Sequence, residues 1–322
     1  VTTVAPTAGP VQRRSRRRRR ERLTVLAFLA PWIAGCVMFF GYPLVATVYY
    51  SFTHYDLLSK PRFIGFANYR FLFRQDPVVW TAIHNTLWLV VVMVVTQTLF
   101  ALGIAQLLVR IKTGASLFRT IFYLPSLVPP VAATLAFVFL FGADGPVNHA
   151  LGAVGIDGPL WFNSPTWAKP SLTLLAMWGV GNLMVIFLAS LLDVPVELYE
   201  AAMLDGANAW QRFRAITLPM ISPVIVFAVV TGVIQTLQYF TQAVVASAVA
   251  SHSSDPAASS HNLGYPDGST MTFPEWLYQK GFHEFQMGYA SALAMVLFVV
   301  SFAFTALLIA RSRRMYAEEV AA

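Results

Sequence analysis

Charged side chains are too few in this sequence to clothe a water-soluble domain. Asp, Glu, Lys and Arg make up 11% of the 322 residues, against about a quarter in soluble proteins. The shortage is concentrated in blocks. Residues 23–53, 77–109, 120–143, 170–192, 215–254 and 285–310 contain no charged residue, and each run reaches the ~20 residues a helix needs to cross the hydrocarbon core. The expectation is an all-α integral membrane protein with six transmembrane helices.

Other absences narrow the function. The single cysteine, Cys36, sits inside the first run, so no disulfide framework or cysteine metal cluster can form. The six histidines have no paired metal spacing. The only Lys-Thr pair, Lys112-Thr113, follows Ile111 where a phosphate-binding loop needs glycine. There is no H-E-x-x-H, no G-x-S-x-G and no pair of carboxylates facing a span. No enzyme activity, cofactor or metal is therefore expected, and any energy for uphill transport must come from another chain. No Asp, Glu, Lys or Arg lies in the central part of a run, which weakens a secondary carrier built on intramembrane carboxylates. No repeat of fixed period is present, which excludes a solenoid.

The net charge of +7 is a matter of location. Eight arginines fall in RRSRRRRRER, residues 13–22, directly before the first span. Such a tail can bind nucleic acid, but before a span it fixes orientation and meets anionic lipid; no nucleic-acid partner is expected. With this tail inside, inner segments hold 16 Lys and Arg against 6 outside, or 8 against 6 without the tail. Both termini are therefore placed in the cytoplasm, in a multi-pass protein of the bacterial cell membrane. Residues 1–22 read as a disordered basic tail, 23–80 as the first span and an outer loop, 81–314 as the main membrane domain with an inner loop at 193–222, and 315–322 as a second tail. The first span lacks an A-x-A cleavage site and is read as retained. The outer segment 251–274 reads as a flexible loop.

Proline punctuates the third span in YLPSLVPPV, where Pro125, Pro129 and Pro130 remove backbone donors. This fits either a bend near a gate or ordinary helix initiation. Trp178 and Asn182 share a face at i, i+4 in the fourth span. In the fifth, Gly232, Gln235, Thr236 and Tyr239 form a stripe at i, i+3, i+4, i+7. Amides, hydroxyls and ring faces suit a hydroxylated, uncharged solute. Each residue alone fits helix–helix contact as well; the fifth-span stripe as a group points to a solute path.

The inner loop contains EAAMLDGANAWQRFRAITLP, residues 200–219. Pro195 suits a helix start, and Glu197 and Glu200 suit its positive end. Gly206 is placed to end that helix. Asn208 and Gln211 have capping-box spacing for a second one, with Trp210, Phe213 and Thr217 on one face and Pro219 closing it. Two short helices meeting at Gly206 would form a rigid knob.

This stretch resembles the E-A-A-x-x-x-G loop, followed after nine residues by I-x-L-P, of inner-membrane permeases of binding-protein-dependent ABC importers. The matching residues are Glu200, Ala201, Ala202, Gly206, Ile216, Leu218 and Pro219, with Asp205 before the glycine. FIGFANYRFLF (63–73), GPVNHALGAVG (145–155) and FHEFQMGYASALA (282–294) are similar to segments of the carbohydrate-uptake branch, specifically its maltose-importer type first permease. The resemblance implies a type I ABC importer permease fold. It also implies that the helix containing Glu200 and Leu204 docks on a cytoplasmic ATP-binding subunit dimer. A second homologous permease subunit and an extracytoplasmic solute-binding protein are implied as further partners. The rival class is a channel or secondary carrier for a small polar solute, which would have no use for the knob.

Overall fold

The computed structural model describes the backbone of residues 11–111, 113–251 and 262–321, and the side chains of those residues between 24 and 311. The first helix, α1 (Val11–Cys36), passes through one π turn (Val37–Gly41) into α2 (Tyr42–Ser51). Pro43 follows that turn and lacks an N–H. The wider turn moves the carbonyl four residues back away from the proline ring, so the helix continues. Residues 11–22, expected as a disordered tail, are helical. Arginine is a good helix former, and a span that is already wound extends without a new nucleation step. Residues 1–10 and 252–261 lie outside the described residues.

After α2 come a two-residue antiparallel hairpin, β1 (Thr53–His54) with β2 (Arg62–Phe63), and the short helix α3 (Ala67–Arg74). The axis of the molecule is α4 (Pro77–Arg110). Its first turn is capped by Asp76, whose Oδ1 accepts from the Val78 and Val79 N–H groups at 3.0 and 3.4 Å. One face of α4, including Leu89, Met93, Ala101, Ala105 and Leu108, is buried, while Leu87, Val91, Val95 and Leu99 are exposed at four-residue intervals. Apolar on both sides, it is a helix for protein on one face and lipid on the other.

The remaining elements are α5 (Ala115–Tyr123) with a 3₁₀ turn to Leu127, α6 (Pro130–Leu140), α7 (Pro146–Ala153), α8 (Ala168–Trp178), α9 (Gly181–Leu192), α10 (Val196–Leu204), α11 (Ala209–Arg212), α12 (Leu218–Met220), α13 (Ser222–Leu237), α14 (Thr241–Ala250), α15 (Phe273–Tyr278) and α16 (Met287–Ala321). Three stretches, 24–51, 77–110 and 287–311, are long and apolar enough to cross a membrane alone, and three bent pairs raise the number to six. The α5–α6 pair bends by 100°, α8–α9 by 51°, and the helical stretch 209–220 meets α13 at 66°. The third and fourth spans are thus broken, and the fifth continues from α13 into α14 across a gap at 238–240.

The two ends of α4 are held differently. At its C-terminal end, Leu102, Ala105 and Leu108 pack on Phe187, Leu188 and Leu191 of α9. At its N-terminal end, hydrogen bonds join the apolar packing of Val79 and Ile83 on Leu72, Phe273 and Leu293. The Trp276 indole and the Tyr289 hydroxyl donate to Asp76 Oδ2 at 2.8 and 2.7 Å. Asn85 Nδ2 donates to the Gly268 and Met271 carbonyls, and the Phe273 N–H donates to Thr86 Oγ1. Residues 264–272, expected as part of a flexible loop, are instead pinned across α4, because Asn85 and Thr86 supply partners for their backbone.

Thr272 and Glu275 form a capping box on α15. Glu275 is fully buried, and its Oε1 has no hydrogen-bond partner. Burial pushes its carboxyl up from 4.5 to about 8, only partly offset by hydrogen bonds from Thr272. The folded state therefore holds a proton that the unfolded chain has released between these values, so stability falls as pH rises from about 4.5 to about 8. In detergent, the thermal midpoint is expected to drop across that window, and Glu275→Gln should flatten the drop and raise the midpoint at its alkaline end. Asp76→Ala removes a cap and strands two buried donors, and is expected to destabilise by about 3 kcal/mol, read from the same melting curves.

Candidate functional site

Two features stand apart from the packed bundle: an exposed knob at one end and a cavity in its middle. The knob starts with α10, which ends in a Schellman motif. The Gly206 N–H donates to the Met203 carbonyl at 3.1 Å and the Ala207 N–H to the Ala202 carbonyl at 2.9 Å. Gly206 has φ +78° with no atom near its missing Cβ, so glycine is needed there for its backbone and not for space. The Asn208–Gln211 capping box is formed, with bonds of 2.7 and 2.9 Å. Pro219 does not close the second helix as expected. A π turn over Phe213–Thr217 carries the helix through to Met220, and the chain bends only at Ile221.

The candidate coupling residues divide by exposure. Glu200, Ala201, Leu204, Asp205, Gly206 and Pro219 are exposed, with Leu204 at 91%, and Ala202 is half-buried. Ile216 and Leu218 instead pack against the α4–α9 cluster, together with Phe213 and Tyr199. Tyr199 was not singled out in the sequence; its hydroxyl lies 2.8 Å from Thr217 Oγ1 and ties α10 to the second helix. Trp210, expected on one face with Phe213 and Thr217, lies tilted against the Phe213 ring at 5.6 Å and is exposed. An apolar, solvent-facing tip is thus fixed to the end of α4 by a buried root.

The cavity has a volume of about 560 Å³ and is lined by all six residues Trp178, Asn182, Gly232, Gln235, Thr236 and Tyr239. The structure alters how they get there. Trp178 and Asn182 do not share one helical face, because the helix breaks at Gly179–Val180 between them. Tyr239 lies beyond the end of α13, so the stripe stops at Thr236. Within it, a Cβ on Gly232 would meet Val94 of α4 at 3.3 Å, and Thr236 is buried, whereas Gln235 is exposed. Gly232 accordingly serves close helix approach as well as lining the cavity.

Three helix interruptions reach the cavity: Pro125, Ser126, Val128 and Pro130 from the third span, Gly179 and Val180 from the fourth, and Gln238, Tyr239 and Phe240 from the gap between α13 and α14. Sequence reasoning missed Gln97, Gln238 and Gln242, which also line it. It missed Gly181 too, where a Cβ would meet the Phe122 carbonyl at 2.7 Å and the Tyr123 Cα at 2.8 Å. The Gly-Val-Gly triplet was the available signal for both the break and this close approach. Among the described residues, no Asp, Glu, Lys, Arg or His lines the cavity. Trp178 is held by the Phe137 ring at 5.4 Å, and the Tyr239 hydroxyl is buried without a hydrogen-bond partner.

Comparison with known proteins now becomes informative. The family described as binding-protein-dependent transport system inner membrane component matches residues 97–315. This chain belongs to that family. The permease is 38% identical over 89% of its length, and 90% of the relative's, to the probable ABC transporter permease protein YesP of Bacillus subtilis (strain 168). It is 34% identical to the lactose transport system permease protein LacF of Rhizobium radiobacter, over 89% of this chain and 94% of LacF. The fold is that of a chain in a bacterial ABC transporter involved in import of the acidic polysaccharide alginate, with TM-score 0.78, 24% identity and coverage of 94% and 99% of the two chains. The chain is thus a multi-pass inner-membrane permease with the ABC importer fold.

Gly206→Val places a β-branched residue at a left-handed φ and is expected to destabilise the knob by about 2 kcal/mol, whereas Gly206→Asn should be tolerated. Amide hydrogen exchange over residues 196–212 distinguishes the two: faster exchange in the first variant only.

Proposed function

We propose that this permease is one membrane half of an ATP-driven, binding-protein-dependent importer for an uncharged, hydroxyl-rich solute, a sugar or short oligosaccharide. The observation that carries this reading is a cavity bounded by broken helices and lined with amides, hydroxyls and aromatic rings, with no charged side chain among the described residues. Amides both donate and accept, as sugar hydroxyls do, and the rings of Trp178 and Phe240 offer apolar faces to a sugar ring. The lactose permease relative points to the same solute class. The importer fold is also used for an acidic polysaccharide, so charge selection would rest on the lining and not on the architecture.

In this reading Glu200, Ala201, Ala202, Leu204, Asp205 and Gly206 form the surface that enters a groove on a cytoplasmic ATPase dimer, where ATP hydrolysis takes place. Ile216, Leu218 and Pro219 belong to the arm that carries the resulting displacement to α13. Closure of the ATPase subunits pulls the knob, and the cavity switches its opening from the cytoplasm to the outside. A second, homologous permease faces the exposed cavity residues Asn182, Gln235 and Gln238, and a solute-binding protein delivers the solute from outside.

Uptake of a labelled neutral disaccharide by cells expressing the complete importer tests this. Gly206→Val and Glu200→Lys should abolish ATP-dependent uptake at unchanged membrane abundance. Trp178→Ala and Gln235→Ala should lower it about tenfold. Normal uptake in the first two variants, or uptake that persists after ATP depletion, would establish a channel or secondary carrier instead.

A further inference from the structure

Helix α3 takes no part in either the knob or the cavity, yet its depth is tightly fixed. Asn68 Nδ2 donates to the Ser51 and Thr53 carbonyls, both at 2.9 Å, and the Tyr69 hydroxyl donates to Ser51 Oγ. Leu72 is fully buried beside Val79, and the Phe71 ring meets Tyr289 edge-on at 5.1 Å. Ser51 ends α2, Val79 is in the first turn of α4 and Tyr289 in the first turn of α16. The helix therefore lies level with the ends of three spans. It also sits at the opposite end of the roughly 50 Å long α4 from the knob, which places it on the extracytoplasmic side.

The opposite face of α3 carries Phe66 just before its first residue, then Arg70, Phe73 and Arg74, all exposed at i, i+4, i+7 and i+8. Arg62 and Phe63 of β2 are exposed as well, and the hairpin is joined to α3 by the Phe52–Phe66 ring contact at 5.2 Å. Among the described residues, no side chain forms an ion pair or hydrogen bond with the guanidinium of Arg62, Arg70 or Arg74. Trp80, one turn into α4, is exposed on the same level. Arginines interleaved with aromatic rings at the end of a span match the chemistry of a phospholipid headgroup layer, phosphate outside and acyl chain beneath.

We propose that Arg62, Arg70 and Arg74, with Phe66 and Phe73 inserted below them, form a binding site for anionic phospholipid of the outer leaflet. Guanidinium groups pair with phosphate oxygens in a forked geometry, and the phenylalanines lose their water against the acyl boundary. An acidic protein face would satisfy the arginines but leave the interleaved rings without an apolar partner, so lipid is the occupant the surface fits.

The test uses the complete importer, with no reactive cysteine in its other subunits, in lipid nanodiscs. Cys36→Ala removes the native thiol, and Gln75→Cys, at the end of α3, carries a bimane fluorophore. Quenching by head-group-nitroxide phosphatidylglycerol is compared with that by the phosphatidylcholine analogue at equal mole fraction. Phosphatidylglycerol should be preferred roughly fivefold or more. The preference should vanish in R62Q/R70Q/R74Q and survive in R62K/R70K/R74K. Equal quenching by the two lipids, or a preference retained in the glutamine variant, overturns the site. So does loss of binding-protein-stimulated ATP hydrolysis in the glutamine variant with no lipid preference in the parent, which would assign the patch to a protein.

Discussion

In hydrocarbon, a peptide group that leaves its helix has no water to bond, and the placement of the span interruptions follows from that constraint. At each break the chain closes what it can with short turns: the Val128 N–H reaches the Pro125 carbonyl at 3.1 Å, the Val180 N–H reaches Met177 at 3.3 Å, and the Tyr239 N–H reaches Thr236 at 3.1 Å. Groups left over can be satisfied only by protein or by a wet space. The third and fourth spans, and the chain between α13 and α14, break where they face the 560 Å³ cavity. The unbroken helices, α4 and the apolar part of α16, instead meet lipid along one side. Polarity of the path and irregularity of the backbone thus share one origin.

The same division explains how motion at the knob can reach the cavity. The buried root of the knob, Tyr199, Phe213, Ile216 and Leu218, packs on the cluster that joins α4 to α9. From there α13 runs directly into the cavity wall, carrying Thr231, Gly232, Gln235 and Thr236. In the proposed mechanism, a displacement of α11 and α12 would pass to α13 across the 66° bend at Ile221, a fully buried residue with little room to absorb it. At the far end α4 is fixed by the Asp76, Asn85 and Thr86 hydrogen bonds, a stiff outer end for the proposed drive at the inner one to work against.

Much of this was readable in the sequence because membrane spans leave few choices. Apolar length, the arginine distribution and the spacing of Glu200 to Pro219 marked the spans, their orientation and the knob, and residue chemistry alone collected six side chains that line one cavity. What failed was geometry decided by tertiary contact. The i, i+4 relation of Trp178 to Asn182 assumed an unbroken helix, but the helix breaks at Gly179–Val180, and Gly181 admits the close approach of the α5 backbone at Phe122 and Tyr123. Pro219 looked like a stop because a proline forbids an α turn; a π turn evades the clash, and no local propensity announces one. The arginine run looked disordered by composition, yet a helix nucleated in the membrane extends into it. Residues 264–272 looked mobile because Gly, Pro and Ser dominate them, while the partners that pin them, Asn85 and Thr86, lie more than 180 positions away in the chain.

The buried polar groups at the outer end form a different kind of structure from those of the cavity. Asp76 accepts from the Val78 and Val79 N–H groups, the Trp276 indole and the Tyr289 hydroxyl, and such a network fixes one arrangement. In the cavity, Asn182, Gln235 and Gln238 are exposed and the Tyr239 hydroxyl lacks a partner, so their hydrogen-bonding capacity is held open. Under the proposed function, a transport path needs that asymmetry. A lining whose polar groups satisfied one another would offer a passing hydroxyl nothing, and one that bound a charge tightly would hold its solute in place. Neutral, partly unpaired amides give many weak and exchangeable contacts, which suits a solute that must be let go at the end of each cycle.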